Sequence, residues 1–106
     1  GSRPDHPQYP KAPQDVARLQ LHGGNLRRFS GADLCNLDFS GYDLSAANFS
    51  GANLAGARLV RCKMSMAIMV GADLSDTDLM ASDMRGINLM KAVIRNANMR
   101  WVNLAG

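Results

Sequence analysis

The chain has 106 residues and a mass of 11.4 kDa, enough for one small domain. Its net charge of +3 comes from 12 Lys and Arg against 9 acids, and every acid is Asp. Without Glu, one of the commonest surface helix formers, an ordinary helical bundle is a poor fit. No apolar run reaches the roughly 20 residues of a membrane-spanning helix, and the start does not read as a signal peptide.

Gly1 and Ser2 read as the scar of a cleaved tag and are set aside. Pro4, Pro7, Pro10 and Pro13 then punctuate a polar stretch, so residues 1–13 are expected to be a disordered lead-in. Residues 14–28 are expected to form an N-terminal cap, with Val16, Leu19 and Leu21 covering the open N-terminal end of the folded region. Leu26 and Phe29 stand three apart, a slip in spacing that suits a cap joining a repeat.

From Phe29 onward every fifth residue is large and apolar. The series runs Phe29, Leu34, Phe39, Leu44, Phe49, Leu54, Leu59 and Met64, then Met69, Leu74, Leu79, Met84, Leu89, Ile94, Met99 and Leu104. Two residues before each lies a mostly small register, among them Ala32, Ala52, Cys62, Ala72 and Thr77, with Arg27, Leu37, Tyr42 and Ile87 as departures. Between the two registers Asp and Asn dominate, as at Asp33, Asn53, Asp78 and Asn98.

On an α-helix, five steps of about 100° leave successive large residues about 140° apart, so no buried face forms. On a strand an odd period sends them alternately to opposite sides. A chain that turns a corner every five residues can bury both registers together, and Gly, Asn, Asp and Ser between them tolerate such corners.

The motifs Ala32-Asp33-Leu34, Ala52-Asn53-Leu54 and Ala72-Asp73-Leu74 resemble the pentapeptide-repeat family, over about residues 25–106. The resemblance implies an all-β fold, a right-handed quadrilateral β-helix with four pentapeptides per coil. Residues 29–106 would then make about four coils, stacked about 4.8 Å apart. Residue n would sit over residue n+20, giving core columns such as Phe29-Phe49-Met69-Leu89 and Leu34-Leu54-Leu74-Ile94. The outward columns Asp38-Arg58-Asp78 and Asp43-Lys63-Asp83 would alternate in sign, which is mildly favourable. The sequence stops in mid-pattern at Gly106 with no capping helix, so either the natural chain continues or this uncapped end meets a partner or a second copy of itself.

Catalytic chemistry finds little material. His6 and His22, the only histidines, both precede the repeats, and no nucleophile, base and orienting group can be assembled. Gly23-Gly24 lacks the spacing and the following Lys of a phosphate loop. The Asp residues follow the repeat and are read as structural rather than as a metal site. Cys62 falls in the small inward register and Cys35 outside it, so both are expected to be reduced thiols of a cytoplasmic protein. No enzyme activity, cofactor, metal or small-molecule substrate is expected.

Arg85, Lys91, Arg95 and Arg100 cluster in sequence but map to four different faces of a square rod, not to the focused stripe of a duplex binder. The resemblance also brings in DNA mimics that occupy the DNA site of type II topoisomerases such as gyrase. Mimicry needs an acidic rod, whereas residues 25–106 carry seven Asp against nine Lys and Arg.

The remaining feature is apolar. Met66, Ile68 and Val70 should point outward along one side, with Met90 under Val70, where the neighbours of Ile68 are Asn48 and Asn88. Such a patch reads as a protein-interaction surface. Val60 over Met80, with Arg61, Arg100 and Trp101 nearby, is a second candidate, Trp101 being a frequent type of binding anchor. The expected function is a non-catalytic interaction or scaffold module, one domain of a larger effector or adaptor; topoisomerase-directed DNA mimicry is the alternative.

Overall fold

The computed structural model describes residues 28–106. The lead-in over 1–13 and all but the last residue of the cap over 14–28 lie outside the described residues. The rest is a right-handed quadrilateral β-helix. Twelve isolated parallel bridges, from Arg28↔Asn48 to Asp83↔Asn103, each join residue n to residue n+20. We number the coils 1 (29–48), 2 (49–68), 3 (69–88) and 4 (89–106).

One corner conformation makes the period five. Two residues after each large residue the backbone enters the left-handed region, at glycines such as Gly31 (φ 70°) and Gly51 (φ 68°). Nine non-glycine residues take the same conformation, with φ between 55° and 63°. They are Asn36, Ala46, Arg61, Met66, Asp76, Ala81, Lys91, Asn96 and Trp101, none of them β-branched. Left-handed φ costs an L-residue roughly 1 kcal/mol or more, and most for a branched Cβ. Those costs are offset by the hydrogen bonds and burial that each completed corner allows.

The hydrogen bonds repeat with the same period. On the first side, Phe29 N–H donates to the Asn48 carbonyl at 2.8 Å and Gly31 N–H to the Ser50 carbonyl at 2.8 Å. The Asn53 N–H bonds back to the Ala32 carbonyl at 2.9 Å, and Ala32 N–H closes the turn on the Phe29 carbonyl at 3.0 Å. Each side of a coil thus offers the coil beneath it two N–H groups and one carbonyl.

Inside, the large register is buried without a break from Phe29 to Met84. Phe29 and Phe49 stack with centroids 4.9 Å apart, one above the other as the 20-residue offset requires. The small register lets opposite walls approach, and its polar members are satisfied. Thr77 Oγ1 donates to the Leu74 carbonyl at 2.7 Å, and Ser82 Oγ donates to the Leu59 carbonyl while accepting from Cys62 N–H at 2.9 Å. Burial pushes the Cys62 thiol up to about 11, while the partly exposed Cys35 thiol is raised chiefly by its hydrogen bond to the Asp33 carboxylate.

The core columns do not all end buried. Leu89 and Met99 in coil 4 are only half-buried, and Ile94 and Leu104 are exposed, because none of the described residues lies beneath them. Among the described residues, the same edge has two N–H groups per side without a backbone acceptor, from Leu89 and Lys91 on the first side to Leu104 and Gly106 on the last.

Outside, the Asp and Asn register closes the opposite end of each side. At all eleven positions Oδ1 accepts the N–H two residues on, as from Asp38 to Ser40 at 2.9 Å and from Asn98 to Arg100 at 3.1 Å. These Asx turns explain why short acids and amides, never Glu, suit the position. The Ser75 hydroxyl and N–H hold the Asp73 carboxyl below its ordinary range, and the Arg85 guanidinium, 2.6 Å away, does so for Asp83.

The corner and the caps can each be tested separately. Gly51 has open space where a Cβ would stand, so Gly51→Ala isolates the cost of φ 68° and should destabilise by about 1 kcal/mol in denaturant unfolding. Because Asp73 and Asp83 are lowered in the folded state, their contribution is present above the ordinary carboxylate range and is lost as pH falls through it. The thermal midpoint should therefore decline below roughly pH 4, and Asp73→Asn, which keeps Oδ1, should remove its share of that decline.

Candidate interaction surface

Metal chemistry has little to build on: among the described residues no three His, Cys, Asp or Glu side chains are grouped to hold a metal ion. Six of the seven Asp carboxylates among the described residues are occupied as turn caps, and the seventh, Asp76, stands at a left-handed corner. Arg85, Lys91, Arg95 and Arg100 follow the large residues of four different sides and stand at four different corners.

What distinguishes the surface is where the cap is missing. Five bridge positions carry neither Asp nor Asn: Arg28, Arg58, Lys63, Ile68 and Val93. Three are cations, but Ile68 and Val93 are apolar and exposed, at 38% and 46%. Ile68 is bridged to Asn48 above and Asn88 below, both of which cap their turns, at Ser50 and Met90. A cap there would strengthen the rod at that corner, and an apolar side chain stands in its place.

Around Ile68 the side is apolar in depth. Met66, at the left-handed corner (φ 62°), is 64% exposed, and its side chain lies over Gly86 directly below. A Cβ at Gly86 would stand 2.5 Å from the Met66 sulfur, so glycine makes room for that placement. Past Ile68 the chain reaches Val70, stacked over Met90, which is 63% exposed. Val70 itself is half-buried, so it forms the floor of the patch rather than its rim.

The second candidate is corrected. Val60 is only 6% exposed. It sits between Ser40, whose Oγ accepts its N–H at 3.2 Å, and Met80, so a mid-rod column covers it from both sides. Trp101 is 72% exposed on the last coil and carries Arg100 over its ring at 5.2 Å. Val93, in the same outward register as Ile68, was not singled out by sequence reading. Its only signal was an apolar residue where the repeat favours Asp or Asn.

No helix of the described residues is long and apolar enough to cross a membrane. Pentapeptide repeats, in eight copies, match residues 28–65 and 72–106. Among solved structures the chain is similar to QnrB1, a plasmid-mediated fluoroquinolone resistance protein, with 28% identity and a TM-score of 0.68. That match covers 71% of this chain and 39% of QnrB1. A pentapeptide repeat protein of the Arabidopsis thaliana thylakoid lumen shares 32% identity at a TM-score of 0.40, over 74% of this chain and 57% of the other. The chain thus spans well under two thirds of either protein. No curated protein matches it by sequence.

Proposed function

We propose that this chain, which belongs to the pentapeptide-repeat family, is a non-catalytic interaction module that binds another protein through the side centred on Ile68. The observation that carries the reading is Ile68 itself, an exposed apolar residue at a bridge position where eleven others carry a turn-capping Asp or Asn. Where one residue breaks the local rule of its scaffold without a gain in stability, a functional site is the expected reason. Met66 and Met90 add polarizable, adaptable area on either flank, and the half-buried Val70 keeps the patch continuous. The rod is stiff, so the patch is presented pre-organised and little ordering cost falls on binding. Trp101, beside Arg100 on coil 4, is a lesser anchor at the rim of the same module.

The second reading is topoisomerase-directed DNA mimicry, favoured by the likeness to QnrB1. It is weakened by charge, since residues 28–106 carry eight cations against seven carboxylates. Purified gyrase assayed with this chain should keep its supercoiling activity; inhibition would promote this reading over the first.

Ile68→Asn is the variant that separates binding from folding. The new Oδ1 can cap the Val70 N–H, so stability should stay within about 1 kcal/mol of the parent. Affinity-purified partners should be lost with Ile68→Asn and retained with Asn53→Ala on the adjoining side. If Ile68→Asn retained them, another face would carry the interaction. Leu74→Asp is the fold control: it puts a charge at a fully buried position and should leave no cooperative unfolding transition.

A further inference from the structure

The four sides of the rod differ in charge, and the side that carries Ile68 stands apart. The seven Asp of residues 28–106 all lie on the other three: three on the side of Asp33 and Asp73, two on that of Asp38 and two on that of Asp43. The Ile68 side has none. Its bridge column reads Arg28, Asn48, Ile68 and Asn88, and its far corner column Gly31, Gly51, Gly71 and Lys91. Among the described residues, Arg28 and Lys91 are its only charges, and both are exposed. They stand three layers apart, roughly 14 Å along the rod at the spacing of stacked strands, with the apolar patch between them. Across the Met66 corner, Asp83 is held by Arg85 at 2.6 Å, so its charge is already met. At the opposite corner the three glycines place no side chain in the way of an approaching backbone. Within the patch Ile68 and Val70 are less exposed than Met66 and Met90 on the flanks, so its centre is lower than its rims.

We infer that this side takes an acidic segment of another protein, one in which apolar side chains are flanked by carboxylates. The apolar residues seat on Ile68 and Val70 between the two methionines, and the carboxylates meet Arg28 and Lys91. The inference rests on the Ile68 reading above and adds the partner's charge to it. Cations at the rim of an apolar centre select among partners and speed their encounter more than they add affinity, so the patch supplies the hold and the two cations the choice. A basic segment would face like charge at both ends of the patch with no acid on that side to receive it. Two cations are too few to track a phosphate backbone or to hold a rod on a lipid surface by charge. Set at the two ends of an apolar patch, they suit discrete carboxylates.

The probe is a random peptide library displayed on phage, selected on the full chain and counter-selected on Ile68→Asn. Peptides that depend on Ile68 should carry an excess of Asp and Glu over Lys and Arg relative to the unselected library. The strongest of them, made with Asn and Gln in place of its acids, should bind about tenfold more weakly or worse at low salt, and raising the salt should narrow that gap. The double variant Arg28→Glu/Lys91→Glu, checked to keep the thermal midpoint of the parent, should select basic peptides from the same library instead. Neutral or basic peptides that still depend on Ile68 would overturn the inference while leaving the Ile68 reading intact. A selection that yields only peptides indifferent to Ile68→Asn would count against that reading first, and against the inference with it. Ile68-dependent sedimentation with phosphatidylserine vesicles, absent with phosphatidylcholine, would assign the side to a lipid surface and overturn the acidic-segment inference.

Discussion

The left-handed corner, repeated two residues after every large one, is the constraint on which everything else rests. It turns the chain through a square in twenty residues, and only that closure brings residue n under residue n+20. Nine of the corners hold side chains that would individually favour another conformation. Cooperation keeps them there: each corner aligns a bridge, a turn bond and a buried ladder at once, so giving up one corner would release three kinds of contact.

Because every coil touches only its neighbours, stability is close to a sum of layers, and the two ends of the rod differ from its middle. The middle is closed on itself, with buried apolar columns and coils hydrogen-bonded to the coils above and below. The underside of coil 4 is not, and its polarity is inherited from the hydrogen-bond pattern that joins every pair of coils. A regular scaffold of this kind carries function in its departures, because the regular positions are already committed to holding the coil. Ile68, apolar and exposed where eleven other bridge positions carry Asp or Asn, is such a departure from the repeat.

Most of the fold was legible in the sequence because the period is rigid. Sixteen large residues without exception, with mostly small partners two positions earlier and mostly Asp or Asn between them, exclude a regular helix or flat strand, and the resemblance to the pentapeptide-repeat family supplied the square coil. The inward placement of Cys62 and the structural role of the Asp residues derive from that register alone. Of the candidate surface, Met66, Ile68 and Met90 were readable as outward and are exposed, whereas Val70 proved half-buried and Val60 buried. The register says which way a side chain leaves the backbone; it does not say how much of it the residues twenty before and twenty after will cover. Ile94 and Leu104 show the converse, being inward by register yet exposed for want of a layer beneath.

The sequence by itself determined the period and the inward and outward registers, because neither a helix nor a strand can bury a five-residue repeat on one side; the square cross-section and the column partners followed from the resemblance to the pentapeptide-repeat family. Only the tertiary structure decided which outward residues are truly uncovered and how the last edge is polarised. It also revealed that Met66 lies over Gly86 and that all eleven Asp and Asn caps are made. Those properties depend on the distances between stacked layers and the direction of the N–H groups, which no single coil contains.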